Sequence, residues 1–315
     1  MSRACVAGGM RGTQGRPTVL VAGASGYLGR HLVAEYKARG WRLRALVRSR
    51  EAARRADLDP DDVLLAPATD PLRLSGVMAG VDLVVSALGI TRQRDGPSYR
   101  AVDFRANANL LDEALAAGVK RFAYVHVLNA EAMAGVPLVE AKRAFVERLA
   151  RAPIPATVVC PSGLFSDVEA VLDMADSGRV WLFGDGGRHL NPIHGADLAS
   201  AMADAIDDGR DRLDIGGPDI LSQRALAELA FAAIGRPARI TCLPDALRRI
   251  ALRTLALSAP VLPAGPARFF LTALGLDMVA HPYGTRHLAD HFAKVLHARC
   301  GTPEDDPAAC PARNV

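Results

Sequence analysis

Apolar positions along the first half of the chain fall into short runs, and the stretches between them repeat their apolar residues with helical spacing. The short runs, bounded by glycine, proline or charge, read as buried strands: Val19–Ala22, Trp41–Val47, Val63–Ala66, Val81–Ser86, Arg121–Val127 and Ala156–Cys160. Between them the periodicity predicts helices over Tyr27–Arg39, closed by Gly40, over Asp103–Ala117, closed by Gly118, and over Leu138–Arg151. Asp70 followed by Pro71 has the order of an N-cap and a first helical residue. Strands alternating with helices at this spacing predict an α/β chain with a doubly wound parallel sheet.

The second half is patterned differently. It predicts a helix over Phe165–Gly178, strands over Arg179–Phe183 and Leu213–Gly217, and a helix over Leu221–Ile234 capped by Ser222. Leu243 to Leu257 is a basic amphipathic stretch in which Arg248, Arg249 and Arg253 stand against Leu247, Ile250 and Leu255. It suits a helix packed on the core, and also a lid over a lipophilic molecule or a membrane surface, with core packing the expectation. The division that follows is a flexible lead-in over 1–16 and a nucleotide-binding unit over 17–165, to which 190–217 returns. A smaller C-terminal substrate lobe takes 166–189 and 218–297, and a disordered tail 298–315.

With 315 residues, half of them hydrophobic, the chain is long enough for a large core. Its net charge is +4 and its arginines are scattered, so no nucleic-acid partner is implied. Five cysteines without a CxxC pair, no apolar signal-like segment in the first sixteen residues and no run of some twenty apolar residues imply a reduced, cytoplasmic chain without a membrane span.

The first strand breaks at Gly23-Ala24-Ser25-Gly26-Tyr27-Leu28-Gly29. A turn this tight from strand to helix needs residues lacking a Cβ. Gly23 permits the turn, Gly26 lets backbone approach a diphosphate, and Gly29 lets the helix pack against the strand. The helix start offers that anion free N–H groups and a positive dipole end. Together with the predicted sheet, this is the dinucleotide site of a Rossmann-type fold. At the end of its second strand an acid would bind a ribose hydroxyl, whereas the sequence reads Val47-Arg48-Ser49-Arg50, so Arg48 favours NADPH over NADH. Ala87-Leu88-Gly89 closes strand four as a small-residue turn on which a cofactor can lie.

These turns, with Lys142 in Leu138-Val-Glu-Ala-Lys142-Arg-Ala-Phe145 and the run Phe183-Gly-Asp-Gly186 … Asn191-Pro-Ile-His194-Gly-Ala-Asp197-Leu198, resemble the atypical short-chain dehydrogenase/reductases. The nearest groups are the NmrA-like, the isoflavone-reductase-like and the divinyl-chlorophyllide vinyl reductase proteins. The resemblance covers roughly residues 18 to 240 and implies a bound nicotinamide dinucleotide. Typical members carry Tyr-x-x-x-Lys, the tyrosine giving a proton to a carbonyl oxygen. Here Leu138 stands in the tyrosine's place, His126-Val127 where a serine is usual, and Pro67-Ala68 where many relatives place an aspartate for adenine. The resemblance therefore implies cofactor contacts at Ser25, Tyr27 and Leu28 in the glycine turn, at Ala68 through backbone, and at Cys160, Pro161 and Phe165 near the nicotinamide end.

Lys142 and His126 are the candidate catalytic groups. Lys142 beside an apolar pocket would lose basicity and move protons, or would only hold the nicotinamide ribose. His126 lies at the end of a central strand, facing the usual crevice or satisfied by backbone. Cys160 also suits packing, Tyr99 and Asp103 suit a cleft edge, and Asp103 equally suits a cap. His194 is expected to buttress the sheet. His287 and His291 have the spacing of a metal pair but lack the HExxH glutamate, so an exposed helix face and no metal are expected. The function classes that remain are an NADPH-dependent reductase of a hydrophobic, conjugated small molecule, a cofactor-holding protein without turnover, and a redox-neutral isomerase, dehydratase or cyclase.

Overall fold

Alternate residues of the first strand, β1 (Thr18–Ala22), face opposite sides of the sheet, and that alternation sets the layers of the fold. The computed structural model describes residues 15–90, 98–258 and 265–299. The central sheet continues with β2 (Arg42–Val47), β3 (Asp62–Leu65), β4 (Leu83–Ser86), β5 (Arg121–Val125) and β6 (Ala156–Pro161). Two small pairings lie outside it, β7 (Val180–Phe183) with a partner given below and the short β8 (His189–Leu190). β9 (Arg212–Gly216) rejoins the main sheet, β10 (Leu221–Ser222) pairs with β8, β11 (Ile240–Leu243) pairs with β7, and β12 (His281–Pro282) ends at the sheet edge. All eight strands of the main sheet run parallel in the order β12-β9-β6-β5-β4-β1-β2-β3. The order reverses between β1 and β4, and the crevice of a doubly wound sheet opens at that point.

The helices are α1 (Tyr27–Ala38), α2 (Arg50–Arg55), α3 (Pro71–Leu74), α4 (Asn107–Ala116), α5 (Pro137–Ala150), α6 (Phe165–Asp176), α7 (Gly195–Asp207), α8 (Gln223–Ala233), α9 (Asp245–Ser258), α10 (Gly265–Ala273) and α11 (Leu288–Arg299). Val19 and Val21 join Leu28 and Leu32 of α1 and Leu198 and Met202 of α7 in one core. Leu20 and Ala22 join Leu110 of α4 and Phe145 and Leu149 of α5 in the other. A third core, with Phe165, Leu172, Phe231 and Phe292, lies among α6, α8 and α11. Among the described residues no helix is long and apolar enough to cross a membrane.

The architecture agrees with the sequence reading, including the Asp70 cap on Leu72 N–H and the Ser222 cap on Ala225 N–H. Several boundaries move. Strand five stops at Val125 rather than Val127, and strand six runs one residue on to Pro161. The helix expected from Asp103 begins at Arg100 as a π-helical segment, Arg100–Ala106, and only then becomes α4. Of the lead-in, residues 1–14 lie outside the described residues, whereas the Arg16 guanidinium is fastened to the Gly40 and Trp41 carbonyls. Of the tail, residues 300–315 lie outside them, and residues 298 and 299 complete α11, with Arg299 2.7 Å from Asp173. His281 and Pro282 also return to the sheet, a crossing too short to read from periodicity.

Asn191 fastens this last crossing. Its fully buried amide donates to the Gly217 and Ala280 carbonyls and accepts from Ala280 N–H, all at 3.0 Å. Replacing it by Ala leaves one buried and two half-buried backbone groups unpaired, at a cost of about 1 kcal/mol each. Asn191→Ala is therefore expected to lower unfolding free energy by about 3 kcal/mol in urea titration.

Candidate functional site

Gly23 turns the chain with φ +79°, and a Cβ there would lie 3.0 Å from the Ala87 carbonyl oxygen. A Cβ on Gly29 would collide with the Gly23 carbonyl oxygen. The two glycines thus bring β1, α1 and the Ala87-Leu88-Gly89 turn together. Helix α1 opens with Gly26 as N-cap, without a side-chain cap and without an acid in its first turn, unlike the capped starts at Ser49, Asp70 and Ser222. Its first N–H groups and the positive end of its dipole are thus left available to an anion.

Two cavities meet over this turn. One, of about 290 Å³, is lined by Gly23, Ser25, Gly26, Arg48, Ala68 and the Ala87–Gly89 turn. Arg48 is exposed there and makes no hydrogen bond or ion pair with any described residue. The other, of about 250 Å³, shares Gly26 and Ala87–Gly89 and adds Tyr27, Leu28, Gly29, His126, Leu138, Lys142 and Pro161. Of the residues expected at a cofactor, Cys160 and Phe165 are not in either lining. Cys160 is fully buried in the sheet, where burial pushes its thiol up to about 12, and Phe165 belongs to the core among α6, α8 and α11. A side chain on a strand alternates sides, so the residue next to Pro161 points away from the cleft.

Lys142 reaches the cleft from α5 with a buried ammonium. It donates to the Val125 carbonyl at 3.1 Å and stands 3.3 Å from Asp103 and 3.5 Å from the Tyr124 hydroxyl. Asp103 is fully buried, and burial pushes its carboxyl up against the pull of the Lys142 ammonium. Gly89 leaves room for the pair, since a Cβ there would lie 2.8 Å from Asp103 and 3.1 Å from Nζ. The turn itself is held by Ser86, whose hydroxyl donates to Asn107 Oδ1 at 2.5 Å and accepts Leu88 N–H at 3.3 Å. The Asn107 amide in turn bonds the Val102 and Asp103 carbonyls of the π-helical segment.

The sequence reading missed Ser86, Asn107 and Tyr124, and left Asp103 between a cleft edge and a cap. Asp103 is neither: it is the counter-charge of Lys142. An aspartate and an asparagine four residues apart, entering a helix after a small-residue turn, were the available signal. Tyr99 is packed with Leu128 and Met133, and its hydroxyl is buried without a partner. His126 lines the cleft with Nδ1 buried and unpartnered, and burial, with the Lys142 charge, pushes its imidazole down to about 3. One polar atom at this end of the cleft, His126 Nδ1, lacks a hydrogen-bond partner in the protein, whereas Asp103 Oδ1 is held by the Lys142 ammonium. With the uncapped α1, the glycine cradle and the unpaired Arg48, these features fit a dinucleotide laid across the crevice.

A family model described as NAD(P)H-binding matches residues 23–209. The chain belongs to this NAD(P)H-binding family. Over 252 residues it is 34% identical to the chloroplastic divinyl chlorophyllide a 8-vinyl-reductase of Zea mays, covering 72% of this chain and 62% of that protein. It therefore spans a little under two thirds of the length of that relative. It is 25% identical to the photosystem II assembly factor Ycf39 of Synechocystis, over 73% of this chain and 72% of that one. In fold it is similar to the NADPH-dependent quinone oxidoreductase QOR2 of Escherichia coli, solved with NADPH, with a TM-score of 0.68, 21% identity, and 88% and 99% of the two chains covered. The resemblance read from the lysine helix and the glycine turn agrees with this family and with the vinyl reductases.

Behind the glycine turn, Tyr27 meets three histidines. The His31 and His194 rings are tilted by 57° with centroids 5.0 Å apart, and His291 lies 6.1 Å from His194. His291 bonds Glu169 at 2.9 Å and is half-buried against Phe165. The expected exposed face fails for it because α11 is folded onto α6. His287 instead precedes α11 and bonds Asp219 at 2.8 Å. Among the described residues no group of three or more His, Cys, Asp or Glu side chains could hold a metal ion. His194 caps α7 through Nδ1, which accepts Ala196 N–H.

Burial, reinforced by neighbouring positive charge, pushes His31 and His194 from 6.5 down to about 4. The unfolded chain therefore takes up protons that the folded chain refuses. Stability is full above about 6.5 and is lost as pH falls toward 4. The urea midpoint is expected to fall over this window, and His31→Gln to flatten the fall.

Proposed function

We propose that this protein is an NADPH-dependent reductase of a hydrophobic, conjugated small molecule, working without the tyrosine that serves most of its superfamily. The observation that supports this most is the continuity of the cleft. The cavity holding Lys142 and His126 shares Ser162, Gly163, Asp167, Phe269 and Met278 with a larger apolar cavity of about 520 Å³. In the smaller cavity Leu138 lines the wall where a tyrosine would supply a proton. A reduced nicotinamide, when bound, supplies hydride to an electron-poor carbon. The protein must then deliver one proton to the neighbouring carbon to complete the two-electron reduction of a double bond.

Lys142 is the donor in this reading. Asp103 and the Val125 carbonyl fix its ammonium at the cleft wall, and the lysine is the charged proton carrier there. His126, pushed down to about 3, is neutral near pH 7 and serves as a hydrogen-bonding wall rather than as the acid. Arg48 takes the 2′-phosphate, since it is free, cationic and at the end of β2. The apolar cavity takes the body of the substrate, consistent with the vinyl reductase relative. A second reading, a dinucleotide holder without turnover, is favoured by the assembly-factor relative.

Loss of the near-ultraviolet absorbance of reduced nicotinamide with conjugated enones or vinyl-substituted macrocycles separates the two readings. Bound NADPH that no such compound consumes would leave the holder. Arg48→Ala is expected to weaken NADPH about tenfold or more with little change for NADH, as for one lost charge-assisted contact. Lys142→Met is expected to lower kcat by about 100-fold or more while changing the NADPH Kd less than about tenfold. An equal loss in both would return Lys142 to a ribose-holding role.

A further inference from the structure

Helix α9 contradicts the expectation that the basic stretch packs into the core. Among its residues with a described surface, from Asp245 to Leu257, none is fully buried. Arg248 faces inward, bonding Asp245 at 2.6 Å and the Leu271 carbonyl of α10 at 3.0 Å. The outward face carries Leu247, Ile250, Thr254 and Leu257, spaced three, four and three residues apart, which is one helical stripe. Its large apolar members are 46%, 54% and 83% exposed. Arg249 and Arg253 are exposed beside the stripe, and Arg253 has no ion-pair partner among the described residues.

The stripe is not isolated. Helix α9 packs on α10 and β7, and each contributes to the wall of the apolar cavity. Trp181 on β7 lines that cavity and is 49% exposed, with the Arg179 guanidinium 5.6 Å from its ring. Leu274, just past α10, lines it and is 38% exposed. Five of the eight exposed large hydrophobic side chains in the described residues thus lie on α9 or on the cavity wall it packs against. Scattered apolar side chains need no explanation, but a stripe joined to an apolar cavity does.

We propose that α9 seats this protein on an anionic lipid bilayer, with the stripe in the headgroup boundary and the apolar cavity beside it. Charge selects this occupant. Arg248 and Arg249 share the single aspartate of the helix, Asp245, which leaves Arg253 unpaired and the exposed face net positive, and arginine beside leucine with a tryptophan on the neighbouring strand β7 suits a membrane interface. A neutral or cationic partner would gain nothing from Arg249 and Arg253.

The test is co-sedimentation of the full chain with vesicles of phosphatidylglycerol and phosphatidylcholine, against phosphatidylcholine alone, with Trp181 emission read in parallel. Preferential binding to the anionic vesicles is expected, weakened by salt, with a blue shift that Trp181→Phe abolishes. A double variant, Ile250→Asp with Leu257→Asp, is expected to lower partitioning about tenfold or more, with NADPH affinity unchanged, which shows that it is folded. The vesicle measurement needs no turnover, so it stands or falls apart from the reductase reading. Failure to bind anionic vesicles, or equal binding by the double variant, overturns the proposal. So does a dimer in sedimentation velocity that the double variant converts to monomer, because a second copy would then be the occupant.

Discussion

The contact on which the structure depends is the approach of two backbones at the head of α1. Gly29 lies against the Gly23 carbonyl, and Gly23 in turn lies against Ala87. No side chain fits in either gap, so strand, helix and the neighbouring turn must meet main chain to main chain. That leaves the first N–H groups of α1 facing an opening flanked by two parallel strands. Everything downstream, from Arg48 at one end of the crevice to Lys142 at the other, is placed relative to this junction.

The polar groups around Lys142 show how a buried charge is kept in position. Ser86 and Asn107 form a short relay from the end of β4 to the π-helical segment, and the segment presents Asp103 to the ammonium. A charge this deep needs an opposite charge and additional hydrogen bonds to offset its desolvation. The carboxylate comes from the π-helical segment, and the Val125 carbonyl and the Tyr124 hydroxyl come from the end of β5. The result is a lysine whose direction is set by the scaffold rather than by solvent.

Local features of the chain were legible in advance, and long-range ones were not. The alternation in Val19–Ala22 and the glycines at 23, 26 and 29 are local, and they led to the doubly wound parallel sheet and to the expectation of a dinucleotide crevice, but not to the strand order. Arg48 was singled out from its place at a strand end, and Lys142 from the resemblance of its helix to that of the vinyl reductases; both line the crevice. The Lys142–Asp103 pair spans 39 positions, and no periodicity links its members. Helix α9 was misjudged for a related reason. Its amphipathic pattern shows that one face is apolar, but not whether the rest of the chain supplies a surface to cover it. His291 is the converse case, a polar residue drawn inward by the packing of α11 on α6.

The two-residue strand at His281–Pro282 has a wider meaning. The chain leaves the sheet after β6, returns through β9, leaves again through β10 and β11, returns at β12, and leaves a last time into α11. Sheet and lobe are therefore sewn together by repeated crossings rather than joined by one linker. A cut at any single crossing leaves the others intact, and the described residues offer no lone hinge about which the two could swing apart as rigid bodies. Sheet and cavity wall then unfold or persist as one cooperative whole.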